Sequence, residues 1–511
     1  MRSNEVIRPL ALCSLWVLSA CGGSGDSPDP DARMDALVVR CDSTTLEVTR
    51  TTRCSASALD AQGQTVELSD PTWSTSDGRL ARVDAAGGVR ALAKGEVLLR
   101  VKATVDGVSK QGETPLTVNG TLHTEDITAH ETWQAADNPH VLGHGLVVGG
   151  ASNPSLTLEA GVVVRFARGA GLYVGGFSQE EPGSLVVEGT GTAPVLLTSH
   201  EDNPQPGDWS GVVVKNATTS SSIRHAIIEY AGSDFSEDDS GTGFLSLVGS
   251  LSAFGNRPGE SEAPPLFIET VTVRKNKAYG VYLSGVAFAP GSTGLVVSDS
   301  AKPAAVLSAN ELGSLPMDSV FTGNLPNAVD IVPGGVTRSQ TWRDLGVPYR
   351  LLRTNSFLPA TLSVGGASQP TLTLAPGTEF QMSSESAFVV GGAGESGSLV
   401  VEGTGARPIR FVADSSTPSP GFWAGLYFVD AQGSRLDHVL VSHAGAPLYT
   451  PGAGGNLDVS QELGPFVTHS TFSGSSGCGL TRDPALVTTD FTRAEYGNTF
   501  ADNAEGAQCE K

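Results

Sequence analysis

A stretch of about 100 residues occurs twice in this chain. Residues 184–191 read Ser-Leu-Val-Val-Glu-Gly-Thr-Gly, and the same run returns at 398–405. Leu156, Thr157, Leu158 and Gly161 return as Leu372, Thr373, Leu374 and Gly377. Trp209 returns as Trp423 and His225 as His438, with offsets that drift only from about 216 to 213 residues. Within each copy the pattern is one of three- to six-residue runs rich in Val, Leu, Ile and Thr, broken by Gly, Asn, Asp, Ser and Pro. Apolar residues alternate inside each run, so one face of each extended segment turns inward. Strands this short cannot hold a sheet alone. They become stable when each pairs its backbone with the rung above and the rung below, which is a stacked solenoid.

The same punctuation runs through the whole chain. Gly is abundant, at 62 residues, and the helical apolar period is almost absent, so the fold class is all-β. A β-propeller is the competing architecture, but its blades repeat every 40–50 residues with longer strands. Copy 1 is expected over 121–338 and copy 2 over 339–511, each opening on a Thr-Trp pair, Thr132-Trp133 and Thr341-Trp342.

The amino terminus carries a different signal. Arg2 and Arg8 precede an apolar run from Leu10 to Leu18 that is too short to span a bilayer and suits an export signal. The run closes on Leu18-Ser19-Ala20-Cys21, which resembles a bacterial lipobox. The resemblance implies cleavage of residues 1–20, acylation of Cys21 and anchoring in the lipid bilayer. Gly22 at the next position implies sorting to the outer membrane, with the body displayed at the cell surface. Residues 21–34, rich in Gly, Ser, Pro and Asp, read as a flexible tether.

The formal charge is −22, and loss of residues 1–20 leaves −23. So acidic a chain is a poor partner for nucleic acid. Four cysteines remain after the signal and the lipidated residue are set aside: Cys41, Cys54, Cys478 and Cys509. Four cysteines allow three pairings, and sequence separation favours Cys41–Cys54 and Cys478–Cys509. They lack metal-site spacing.

Residues 35–118 contain Trp73-Ser74-Thr75-Ser76-Asp77, then Val83-Asp84, then Gly88-Val89, with Lys94-Gly95 beyond. This segment resembles the bacterial Ig-like domain of group 2, which implies a small β-sandwich with a core Trp and a spacer role. The repeated phrases resemble right-handed parallel β-helix proteins of bacterial surfaces. They are Leu-Thr-Leu-x-(Ala/Pro)-Gly at 156–161 and 372–377, Pro-x-x-(Leu/Phe) at 194–197 and 408–411, and Trp-x-Gly at 209–211 and 423–425. The Ig-like unit and the Cys478–Cys509 bond are expected to protect the two ends of the solenoid, where backbone would otherwise stand unpaired.

Two copies give an internal control for function. Residues shared at matching positions serve the common fold: Glu188 and Glu402, His225 and His438, Trp209 and Trp423. The paired Trp could also stack on sugar rings as glycan-binding platforms. Residues unique to one copy are better candidates for specific chemistry. Copy 1 gains about 14 residues that include Asp234, Glu237, Asp238 and Asp239, an acidic set that could hold calcium, with Lys215 or Arg224 near in sequence. No catalytic residue stands out, and EF-hand, P-loop, nucleophile-elbow and HExxH motifs are absent from the sequence. The expectation is a surface lipoprotein with a structural, adhesive or glycan-binding role, facing polysaccharide or another surface protein. The alternative is a polysaccharide lyase or glycoside hydrolase on the same scaffold.

Overall fold

A computed structural model describes residues 34–175, 181–215, 220–233, 249–255, 263–353, 359–392, 394–448 and 454–511. Cys21 and the acidic set Asp234, Glu237, Asp238 and Asp239 lie outside the described residues. Contacts divide the chain into two units that part near Thr117 and Val118.

The first unit is a β-sandwich. One sheet runs in the order Ala36–Cys41, Thr51–Leu59, Gly88–Ala91, Ala81–Val83. The other runs Thr45–Glu47, Val108–Asn119, Gly95–Val105, Thr72–Thr75. Strand alternation puts Leu37, Ala58, Val101 and Ala103 in the core, and Trp73 packs against them. Ala81–Val83 and Gly88–Ala91 form the hairpin implied by Val-Asp…Gly-Val. Its turn is tied by Asp84, whose Oδ1 accepts the N–H groups of Ala86 and Gly88. Cys41 and Cys54 are register partners on neighbouring antiparallel strands and are disulfide-bonded.

The second unit is a parallel β-helix whose rungs visit three faces in turn. In copy 1, face one holds Thr121–His123, His140–Leu142, Val163–Phe166 and Val195–Ser199. Face two holds Leu146–Val148, Leu172–Val174, Val212–Val214 and the strands above them up to Val329–Val332. Face three holds Glu131–Trp133, Ser155–Leu158 and Ser184–Glu188. Copy 2 repeats this order with Gly334–Val336, Gln340–Trp342 and Tyr349–Leu351, so its first strand lies just before the expected boundary at 339. Inward residues alternate with outward ones as the sequence pattern requires. Leu372 and Leu374 are buried between half-exposed threonines, for example. Each such inward Leu or Val contributes roughly 1.5–3 kcal/mol by leaving water.

The two copies are not stacked face on like face. The last face-two strand of copy 1, Val329–Val332, pairs with the first face-one strand of copy 2, Tyr349–Leu351. Copy 2 is therefore turned by one face about the tube axis. One continuous 13-stranded sheet results, seven strands from face two of copy 1 and six from face one of copy 2. The repeat in sequence does not announce this turn, because the turn depends on how the linking rung closes.

The corners explain the repeated phrases. Gly211 and Gly425 sit at φ +130° and +125°. A Cβ there would lie 2.7 Å from the Ser250 carbonyl oxygen and 2.5 Å from that of Gly455, so Trp-x-Gly needs its glycine. Outside the tube, charged residues pair from rung to rung: Arg274 with Glu229 at 2.8 Å, Arg410 with Glu379 at 3.1 Å, and Arg435 with Glu402 at 3.2 Å. At the far end, Cys478 is bonded to Cys509, joining the strand Cys478–Arg482 to the last strand Gly506–Glu510. Lys511 pairs with the buried carboxylate of Asp458, which also accepts Thr481 Oγ1 at 2.8 Å.

Candidate functional site

The seam between the copies concentrates polar groups that the repeat does not supply. In the 13-stranded sheet Val306, Asp330 and Arg350 follow one another in register. Their chain neighbours Ala305, Leu307, Val329, Ile331, Tyr349 and Leu351 are buried core residues, so these three face away from the core. Asp330 is nevertheless only 1% exposed. Tyr279 donates its hydroxyl to Asp330 Oδ2 at 3.2 Å. Arg350 Nε stands 3.8 Å from Asp330 Oδ1, and its Nη2 reaches Asp414 Oδ2 at 3.2 Å. Asp330 Oδ1 accepts no hydrogen bond from the described residues, an unusual state for a buried carboxylate.

The electrostatics follow from that burial. Loss of water pushes the Asp330 carboxyl up to about 6, against the pull of Arg350 and the Tyr279 hydroxyl. The same burial, with Asp330 beside it, raises the Tyr279 hydroxyl above its ordinary value. A carboxyl that exchanges its proton near neutrality is the kind of group acid–base chemistry uses. Here it is shut away from solvent, so it has no route to a bound polymer in this arrangement. Copy 1 has Val141 where copy 2 has Arg350, and His200 where copy 2 has Asp414. The sequence could have offered Arg350 and Asp414 as copy-specific residues, but not their meeting with Tyr279 and Asp330, which depends on the one-face turn.

An open groove of about 620 Å³ lies on the flank of the same seam. Pro290, Leu315 and Met317 give it apolar walls, and Arg338, Arg343 and Asp318 line it with charge. Met317 is 74% exposed, a large apolar side chain left in water.

The sequence-derived candidates fall elsewhere. Trp209 and Trp423 are fully buried, which corrects the expectation of exposed sugar platforms. Their indole N–H groups donate to the carbonyls of Glu229 and Ser442, each at 2.8 Å, and Trp209 stacks on Phe166 at 3.8 Å. They are corner-packing residues with no ring face to offer. Glu402 pairs with Arg435 on the next rung, and Glu188 lies in register with Arg224. Arg224 itself pairs with Glu269. His225 and His438 occupy left-handed corners, at φ +45° and +53°. The four cysteines form the two disulfides described above.

Known families match two parts of the chain. Residues 37–118 match the bacterial Ig-like domain (group 2). Residues 125–247 match the pectate-lyase like beta helix domain. No curated protein sequence matches the chain. The chain thus joins a segment similar to group 2 bacterial Ig-like domains to a β-helix body similar, in the first part of copy 1, to pectate-lyase-like β-helices, and this pairing together with two disulfides is that of an exported bacterial protein.

Proposed function

We propose that this chain is a lipid-anchored cell-surface protein whose β-helix binds acidic glycan without cleaving it. The groove at the copy seam carries the reading. Arg338 and Arg343 line it beside Pro290, Leu315 and Met317, in a chain of net charge −22. Guanidinium suits sugar carboxylates because its fork of donors matches their geometry. Asp318 is the one carboxylate among the described residues that line the groove. Glycoside hydrolysis draws on a pair of carboxylates flanking the bond, and the proton-exchanging Asp330 is buried. The Cys21 anchor rests on the lipobox resemblance, and Cys21→Ser would abolish incorporation of a labelled fatty acid.

The similarity of residues 125–247 to pectate-lyase-like β-helices favours a second reading, a polysaccharide-degrading enzyme. One experiment separates them. The protein is incubated with acidic and neutral polysaccharides, with and without calcium, and both retention and new chain ends are measured. Retention of acidic polysaccharide that weakens at least about tenfold in Arg343→Ala, with no reducing or unsaturated ends, is expected. Release of ends overturns the binding reading, and retention indifferent to Arg343→Ala removes the groove from it.

A further inference from the structure

Two successive rungs of copy 2 turn the same corner on a histidine. Arg435–Asp437 and Val439–Ser442 are joined through His438, and the rung above, Val467–Thr468 and Thr471–Ser473, turns at His469. Both histidines have left-handed backbones, at φ +53° and +47°. Their rings stack with centroids 5.0 Å apart. Both Nδ1 atoms lie close to one carboxylate oxygen: Asp437 Oδ1 is hydrogen-bonded to His469 Nδ1 at 2.8 Å, while His438 Nδ1, 3.1 Å away, is buried and has no hydrogen-bond partner among the described residues. Thr468 Oγ1 donates to the same oxygen at 3.0 Å, and Arg435 Nη2 stands 3.9 Å from Oδ2.

The equivalent corner of copy 1 shows what the fold alone requires. There the three positions are Arg224, His225 and Thr270. Thr270 holds the same left-handed backbone, at φ +54°, so the corner does not demand an imidazole. Where copy 1 has a cation and a hydroxyl, copy 2 has a carboxylate and a second imidazole, at two places that converge on one point. The pair of changes is what a cation site needs and what a corner does not.

We propose that Asp437, His438 and His469 form a binding site for a divalent transition-metal ion of the zinc class. One ligand atom from each residue lies within 4.8 Å of the other two, a span that a central ion bridges with small rotations of the side chains. Two imidazoles and one carboxylate suit Zn²⁺, Ni²⁺ or Cu²⁺, whereas Ca²⁺ and Mg²⁺ prefer all-oxygen sets. Side-chain exposures of 19% for Asp437, 32% for His438 and 55% for His469 leave the site open on its outer side. Three protein ligands leave room for water or a ligand group from another molecule. The site lies on copy 2 alone and does not depend on the seam groove.

The test is equilibrium dialysis of the purified full-length protein against Zn²⁺ alone, with metal analysis. One Zn²⁺ per chain is expected. His469→Thr installs the copy 1 residue, and His438→Asn installs a residue that tolerates the left-handed region, so both variants are expected to fold, as circular dichroism checks. Each should bind Zn²⁺ at least about a hundredfold more weakly, since even the loss of an outer-shell partner costs 10–100-fold. Co²⁺ should give a visible d–d absorption band in the parent protein that disappears in His469→Thr. Failure of the parent protein to retain Zn²⁺, or equal retention by the folded double variant, overturns the proposal.

Discussion

Asp330→Asn is expected to stabilise the protein at alkaline pH and to leave it unchanged at pH 4. The folded chain holds the Asp330 proton up to about pH 6, whereas the ordinary value is 3.8. Between those values the folded state binds more protons than the unfolded state, so stability falls as the pH rises. The contribution of neutral Asp330 is full below pH 3.8 and is gone once the pH has passed 6. A shift of this size corresponds to about 3 kcal/mol, the cost of ionising a carboxyl that is 1% exposed and has one oxygen without a hydrogen bond from the described residues. Asparagine keeps the acceptor for the Tyr279 hydroxyl and removes the charge. Arg350 keeps Asp414 at 3.2 Å, so the substitution does not strand a buried cation. Guanidinium unfolding followed by tryptophan fluorescence, run for both proteins from pH 4 to 8, gives the difference curve. Groups elsewhere cancel in that difference. A gap near zero at pH 4 that opens to about 3 kcal/mol by pH 8 is expected. An Asp330→Asn protein less stable than the parent at pH 8 would refute the reasoning, because it would mean that the ion pair with Arg350 outweighs the loss of water.

Three further outcomes can be measured. Burial lowers His123 from 6.5 to about 4, with His140 beside it adding to the effect, so its contribution is full above pH 6.5 and is lost as the pH falls through 4. The parent protein should therefore lose melting temperature over that window, and His123→Phe should flatten the loss. Trp423→Ala should cost about 3–5 kcal/mol and leave polysaccharide retention per folded molecule unchanged, because the ring is wholly interior. Cys478→Ser with Cys509→Ser should cost about 2–4 kcal/mol and expose the last rung to carboxypeptidase, read as truncation by mass spectrometry.

The solenoid was legible because its rules are local. Alternation in runs such as Thr371–Leu374 fixes which residues enter the core, and Gly at the corners fixes where the chain bends. Hence the repeat in sequence became a repeat of rungs, and the Ig-like segment became a sandwich. The function of Trp209 and Trp423 was less legible. An indole at a tube corner is spelled the same whether its face points out or in, and only packing against partners such as Phe166 decides. The seam was not legible at all. Tyr279, Asp330, Arg350 and Asp414 are spread over positions 279 to 414 and meet only because copy 2 is turned by one face. The Asp437, His438 and His469 corner stood half in view. His438 aligns with His225 in the repeat, but the rung-to-rung neighbour His469 follows 31 residues later, at a distance that only the closed perimeter of a rung defines.

The turn between the copies also governs how a long polymer would meet this surface. A fibre lying straight along one side of the tube would pass over the second face of the first copy and then the first face of the next. It would never see the same surface twice. The internal repeat lengthens the rod without doubling any one contact patch, so two like sites do not lie in line along it. A ligand that gripped both copies equivalently would have to wind a third of a turn around the tube.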